Sequence, residues 1–475
     1  MDAANRSRRG HPLAALAVTS IAFFMVTLDS LVVMTALPAL HRELGGGLST
    51  LDWTVNAYLL TFAAGVVPAA ALGDRYGRRR VYAAGLLLFA LASAACAAAP
   101  GVGALIAARA LQGLGAAAIA PLSLTILTAA FPASRRGAIV GIWGGLGGLA
   151  VAAGPLVGGA VTEGLSWHWI FWVNVPIGLA AAGLASLLLV ESRGAPTRLD
   201  PLGVLLIAAG SGLVAWGLVR AAGSGWLDPV VLGALAAGLA LVVVFAAWEG
   251  RAVEPMLPLR LFLAPGFGAA VGTSFLLTGS IFSAAFLMAQ YFQLGLGYSP
   301  LATGLRFLPW TATPLVVAPL AGLASDRLGR RGVMATGLVL QALGLAWVAL
   351  VAGAATGYLE LVAPLVIAGV GISMALPTAP AAALSAVAAV DMGKASGVTS
   401  TMQRLGGVFA VALVSAVFGA GTHLDSAAQV SAALRPALAV SALLSVLGAL
   451  CALAVTARRR SPQPAAGRVA AELSA

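Results

Sequence analysis

The chain has 475 residues, of which 60% are hydrophobic and only 9% charged, and its mean hydropathy is +0.98. No soluble domain hides that much apolar surface, so the composition excludes a soluble enzyme or binding module and requires a multi-spanning membrane protein. The net charge of +11 does not point to nucleic acid, because the arginines sit between hydrophobic runs and not along one soluble face.

The N-terminal Arg6-Ser7-Arg8-Arg9 followed by apolar residues has the outline of a signal peptide. The apolar run of about 25 residues is too long for one, so it reads as a retained first span. Hydropathy and polar or Gly/Pro breaks then give about fourteen spans. They centre near Phe24, Phe62, Leu88, Ala117, Gly148, Leu179, Ser211, Leu239, Phe282, Leu315, Leu340, Ile367, Val408 and Leu444. With the N-terminus inside, all but six of the 27 basic residues fall on the inner side. Arg42, Arg220 and Arg435 fall outside, and Arg109, Arg306 and Arg404 lie within or at the ends of spans. One missed helix would invert every later loop, so this asymmetry supports the count and places both termini in the cytoplasm. Arg306 and Arg404 read as interfacial anchors. Cys96 and Cys451 lie inside apolar runs and read as small buried hydrophobes, not as a disulfide.

Between the second and third spans lies Gly73-Asp74-Arg75-Tyr76-Gly77-Arg78-Arg79-Arg80. A shorter copy, Ser325-Asp326-Arg327-Leu328-Gly329-Arg330-Arg331, lies between the tenth and eleventh. Two copies of one loop imply two copies of one helical unit. The expected architecture is an all-α polytopic bundle of two six-helix halves, 1–195 and 261–475, the second ending in a short basic tail. Two further helices, 196–260, are inserted between them. Parallel repeats of this kind hold substrate between the halves. Gly73 and Gly77 are expected to allow the tight turn. In a two-fold arrangement Asp74 should approach the helix N-terminus of span thirteen, around Gly393 to Gly397. By symmetry Asp326 should approach the start of span five near Gly137.

Three features inside the membrane bear on chemistry. Asp29 lies deep in the first span, where a carboxylate costs several kcal/mol unless it faces a cavity or is protonated. It is either a proton carrier or cation-substrate anchor, or a carboxyl satisfied by neighbouring helices. Arg109, early in the fourth span, is its natural partner; the alternative is an arginine snorkelling to the outer surface. Gln112 lies three residues on, on the same face as a possible cavity residue. The fifth span carries Gly144, Gly145, Gly147, Gly148, Gly154, Pro155, Gly158 and Gly159, which read either as a bending element between the halves or as close packing. Glu163, His168 and Glu360 fall near the outer surface, where solvation suffices. Gln290, Tyr291 and Gln293 face either the cavity or the outer surface. No metal-ligand cluster, nucleophile motif or Walker loop is present, so no cofactor, no enzymatic activity and no ATP coupling are expected.

These residues closely resemble the fourteen-helix drug:proton antiporters of the major facilitator superfamily, over nearly the whole chain. The loop Gly73-Asp74-Arg75-Tyr76-Gly77-Arg78-Arg79 matches the superfamily signature. Arg109-Ala110-Leu111-Gln112-Gly113-Leu114-Gly115 matches the fourth-span motif linked to proton transfer. Gly154-Pro155-Leu156-Val157-Gly158-Gly159 matches the fifth-span motif typical of exporters. Leu28-Asp29 with Ala36-Leu37-Pro38, the stretch from Trp169 to Gly178 containing Asn174, and the stretch from Gly297 to Gly304 are similar to the fourteen-helix branch. The chain departs from that branch at Val33-Met34-Thr35, where an asparagine is usual, and at His168, where arginine is common. The resemblance implies a monomeric exporter in a bacterial plasma membrane, moving amphipathic, often toxic compounds out of the cytoplasm in exchange for protons. A dedicated exporter of one endogenous metabolite is a narrower version of the same reading. A non-transporting sensor on the same scaffold is a different one.

Overall fold

The computed structural model describes residues 12–45, 48–193, 200–252, 255, 259–387, 392–419 and 426–456. Among the described residues the chain is helical and forms no strand. The first half comprises α1 (Pro12–Leu44), α2 (Leu48–Tyr76), α3 (Arg78–Ala97), α4 (Val102–Ala130), α5 (Ala133–Gly164), α6 (Trp169–Trp172) and α7 (Asn174–Leu188). Then come α8 (Pro201–Ser224) and α9 (Pro229–Glu249). The second half comprises α10 (Phe267–Gln290), extended by a π-helical turn Tyr291–Gly295, then α11 (Pro300–Thr311), α12 (Thr313–Leu328), α13 (Arg330–Val351), α14 (Tyr358–Ser385), α15 (Met392–Phe418) and α16 (Ala427–Leu453). Several helix starts are written plainly in the sequence. Asp200-Pro201, Asp228-Pro229 and Ser299-Pro300 each put a side-chain acceptor at the cap and a proline in the first turn.

Among the described residues ten helical segments, one of them joining α6 and α7, are long and apolar enough to cross a membrane, and α2, bent by 47° where Val66 meets Pro68, makes an eleventh. Their outward faces carry leucines such as Leu187 and Leu350, 81% and 79% exposed, which water would not tolerate in such number but lipid does. α11 and α12, 12 and 16 residues long, are individually too short to cross.

The helix pairings repeat. In the first half α1 packs on α5, α2 and α3 on α4, and α3 on α7; in the second α10 packs on α15, α12 and α13 on α14, and α13 on α16. The repeat extends to single residues. Gly113 of α4 lets α2 approach until a side chain there would strike the Tyr58 carbonyl and Thr61; Gly369 of α14 does the same against the Trp310 carbonyl and Thr313. The two charged loops also turn alike, at Gly77 (φ 113°) and Gly329 (φ 88°), a region that favours glycine. Gly73 differs from expectation: it is helical, and it serves packing, because a side chain there would meet Leu122.

The halves meet along two seams, α5 with α11 and α2 with α15; α8 lies against both α2 and α15. At the face away from the two chain ends, contacts across the halves are tight. Gln293 donates to the Thr35 carbonyl at 2.8 Å, and the Leu301 N–H donates to Glu163 at 2.8 Å. Gly159 and Gly304 allow backbone contact with Pro300 and Pro155 respectively. This distal face is closed.

Candidate functional site

Asp29 sits midway along α1 and is 1% exposed. Its carboxylate accepts from Arg109 Nη1 at 2.5 Å, from Gln112 Nε2 at 3.0 Å and from Asn174 Nδ2 at 2.9 Å. Arg109 and Gln112 are fully buried. Arg109 also donates to Gln112 Oε1 at 2.6 Å and, through Nε, to the Thr54 carbonyl at 2.9 Å. Its guanidinium lies 4.1 Å above the centre of the Tyr58 ring, a favourable cation–π placement. Gln112 Nε2 reaches on to Ser93 at 2.8 Å. The ion pair is therefore held by four helices besides α1: α2 through Thr54 and Tyr58, α3 through Ser93, α4, and α7 through Asn174. The close approach at Gly113 puts Thr54 within reach, one turn below Tyr58.

The snorkelling reading of Arg109 does not describe this geometry, since the side chain points inward to a buried carboxylate. Sequence reasoning does not identify Ser93, Tyr58 or Thr54, and it names Asn174 only within the Trp169–Gly178 stretch that carries the resemblance. Asn174 had a signal, a polar amide inside an apolar span. Ser93 had none, because a serine can satisfy itself on its own helix, as it also does here on the Phe89 carbonyl.

The second half lacks an ion pair at the equivalent place. Gly369 matches Gly113, so the residue one turn earlier, Leu365, stands where Arg109 stands, and it is buried. Neutral groups fill that half instead: Ser280 bonds Ser445 at 2.6 Å and the Ser441 carbonyl at 2.8 Å, and Gln341 donates to Ser280 at 3.0 Å.

Two cavities flank α1. One, of about 130 Å³, lies between α1, α5, α6 and α7; its walls are apolar apart from Asp29 and Asn174. The other, of only about 20 Å³, lies between the halves and is lined by Leu31, Pro155, Ile281, Trp310, Thr311 and Ile372, with no charged side chain. Asp29 thus faces the side cavity and not the space between the halves.

Other expectations fare differently. Gly154 and Gly158 let α5 lie on Leu31 and Thr35 of α1, and Gly159 meets Pro300, so close packing accounts for them; Gly147 packs on Phe23. The side-chain positions of Gly144, Gly145 and Gly148 lie outside the described residues. Asp74 pairs with Arg78 at 2.8 Å within its own loop. Of its expected contact around Gly393 to Gly397, the side chains of Gly393 and Lys394 lie outside the described residues, as do those of Asp326 and Arg327 and their expected contact at Gly137. What anchors the first loop is Glu191 at the end of the sixth span: it accepts from the Arg79 N–H at 3.0 Å and lies 3.8 Å and 3.7 Å from the Arg79 and Arg80 guanidinium groups. Arg75 is exposed, and Arg330 donates to the Ala381 carbonyl at 3.2 Å.

Glu163 is more than a solvated surface acid, because it joins the halves. The Ser299 hydroxyl and the Leu301 N–H hold its carboxyl below the usual range. His168 stacks on Trp167. Tyr291 donates to the Gly353 carbonyl at 2.8 Å, and Gln293 bridges to Thr35, so neither points into the central cavity. Arg306 remains near the distal surface, 3.8 Å above the Tyr298 ring. Arg404 is not an interfacial anchor: it stands in the middle of α15 and lies 4.1 Å above the Phe62 ring of α2.

The chain is 36% identical over 339 residues to the tetracenomycin C resistance and export protein of Streptomyces glaucescens, a match covering 71% of the chain and 63% of that protein. It is 33% identical over 468 residues to the methylenomycin A resistance protein of Streptomyces coelicolor, covering 97% and 96%. It is 34% identical over 422 residues to the cephamycin export protein of Amycolatopsis lactamdurans, covering 88% and 87%. In fold it is similar to a peptide transporter crystallised with sulfate, with a TM-score of 0.66 at 19% identity over 91% of the chain and 93% of that protein. The profile of the Major Facilitator Superfamily matches residues 19–298 and 270–474, and with the repeated helix pairings and the duplicated loop this shows that the chain belongs to that superfamily.

Proposed function

We propose that the chain exports amphipathic compounds, antibiotics among them, from the bacterial cytoplasm in exchange for protons. It does so by alternating access between two six-helix halves. The bundle has fourteen spans in the inner membrane, with α8 and α9 as the inserted pair, α11 and α12 joined as one broken span, and both chain ends cytoplasmic. Relatives named for resistance to or export of tetracenomycin C, methylenomycin A and cephamycin support the class of cargo.

The observation that carries the proton reading is the position of Asp29. It lines the side cavity while the central cavity is uncharged. A carboxylate turned away from the central space is placed to carry protons and not to anchor cargo there. The hydrogen-bond partners of Asp29 support a switch of this kind. The ionised carboxylate takes three N–H donors. A protonated one must itself donate, and the neighbouring acceptor is Gln112 Oε1, now occupied by Arg109. Protonation therefore releases Arg109 from both groups while Thr54 and the Tyr58 face still hold it. That shifts α4 against α1 and α2 and rocks the half, a change of population between two states.

The test is efflux from proteoliposomes driven by a pH gradient. Asp29→Asn should abolish uphill export while the protein stays folded. Undiminished uphill export would remove Asp29 from the mechanism.

A further inference from the structure

The charge left over in the middle of the bundle points to the cargo. Among the carboxylates of the described residues, Asp29 alone lies more than about two turns from a helix end, and Arg109 neutralises it. Arg404 is a second cation at mid-helix, half-buried, and among the described residues no carboxylate pairs with it. It rests on the face of Phe62 with the buried Tyr58 nearby, and neither contact is a hydrogen bond to its N–H donors. An arginine at this depth is expensive without a counter-ion.

The same seam holds more unused polarity. Leu59 of α2 meets Gly407 of α15, and Phe62 meets Arg404, so the two helices run antiparallel along the contact. Asn56 lies one turn before Leu59; it is 0% exposed, and neither end of its amide has a partner. The Thr401 hydroxyl, one turn before Arg404, is also buried without a partner. Asn56 and Arg404 are separated along the seam by six residues, roughly 9 Å of helix.

We infer that the α2–α15 seam binds the acidic group of the transported compound, with Arg404 as its counter-ion and the Asn56 amide meeting a second polar group roughly 9 Å away. The cargo is then an amphipathic anion, a carboxylate or phenolate on an apolar scaffold, and not the lipophilic cation that a carboxylate-lined path would select. Guanidinium suits this role because it stays charged and presents paired donors to a carboxylate. This rests on the export reading. It also has an electrical consequence: each anion leaving adds one inward charge equivalent to those of the protons entering.

The test uses the full-length protein in nanodiscs and three probes on one fluorophore: dansylglycine (anion), dansylglycinamide (neutral) and dansyl-ethylenediamine (cation). The anion should bind at least about tenfold more tightly than the amide, the scale of a hydrogen-bonded charge. Arg404→Gln should bring that ratio close to one, and Arg404→Lys should restore part of it, with the unfolding temperature checking the fold. Cation binding equal to or tighter than anion binding, a preference that survives Arg404→Gln, or no binding of any probe overturns the inference. Proteoliposome efflux separates the two levels. Selective anion binding without export would sink the export reading and leave the site standing. Export with no charge preference would sink the site alone.

Discussion

Removing either member of the Asp29–Arg109 pair should cost more stability than removing both. Arg109 makes three hydrogen bonds at zero exposure, to Asp29, Gln112 and the Thr54 carbonyl. Arg109→Gln leaves a buried carboxylate without its cation, and Asp29→Asn leaves a buried guanidinium without its anion. Each break costs about 3–5 kcal/mol for a buried pair. The double variant Asp29→Asn/Arg109→Gln removes both charges and leaves amides that can bond to one another and to Gln112 and Asn174, so its cost should fall below either single. Unfolding entropy of about 2.1 cal/mol/K per residue makes one kcal/mol worth roughly 1 °C in a chain of this length. The singles should therefore unfold about 3–5 °C below wild type, and the double nearer to it. The assay is thermal unfolding in detergent, read by tryptophan fluorescence and analysed as a double-mutant cycle. Singles within about 1 °C of wild type, or a double equal to their sum, would refute the claim that this is a tightly coupled buried pair.

Asn174→Leu should weaken pH-driven export by roughly tenfold or more through loss of one charge-assisted hydrogen bond to Asp29. Export at the wild-type rate would show that the amide is dispensable. Gly113→Ala and Gly369→Ala should each destabilise by about 1–3 kcal/mol, because a methyl group meets the Tyr58 or Trp310 backbone; unchanged unfolding would contradict the paired close approaches. The Glu163 latch holds above its depressed pKa and is lost as the pH falls through it. Cross-linking of Thr35→Cys with Gln293→Cys should thus decline in acid, and Glu163→Gln should remove that pH dependence. Asp74→Asn should favour the state open to the cytoplasm, with cross-linking between positions 74 and 396 confined to the opposite state. Equal cross-linking in both states would discard the gate.

Much of this molecule is decided locally. Runs of about 20 apolar residues can only cross or avoid a membrane, so the class of protein follows from hydropathy alone. The repeated Asp-Arg-x-Gly-Arg-Arg loop implies a repeated unit, because a glycine of positive φ between two helices constrains the same turn wherever it occurs. Asp29 and Arg109 stand out unaided, since an intramembrane charge costs too much to be idle. Tertiary structure decided which faces these residues use. Periodicity places Asp29 on α1 but cannot say whether it meets the central cavity or the side cavity, because α1 is buried on nearly every face through its middle. Nor could sequence show that Glu191, 112 residues from Arg79, closes the charged loop, or that Arg404 rests on Phe62 of the other half. Those contacts depend on how helices distant in sequence are juxtaposed, and juxtaposition is set by small residues such as Gly113 and Gly406 that let one backbone approach another.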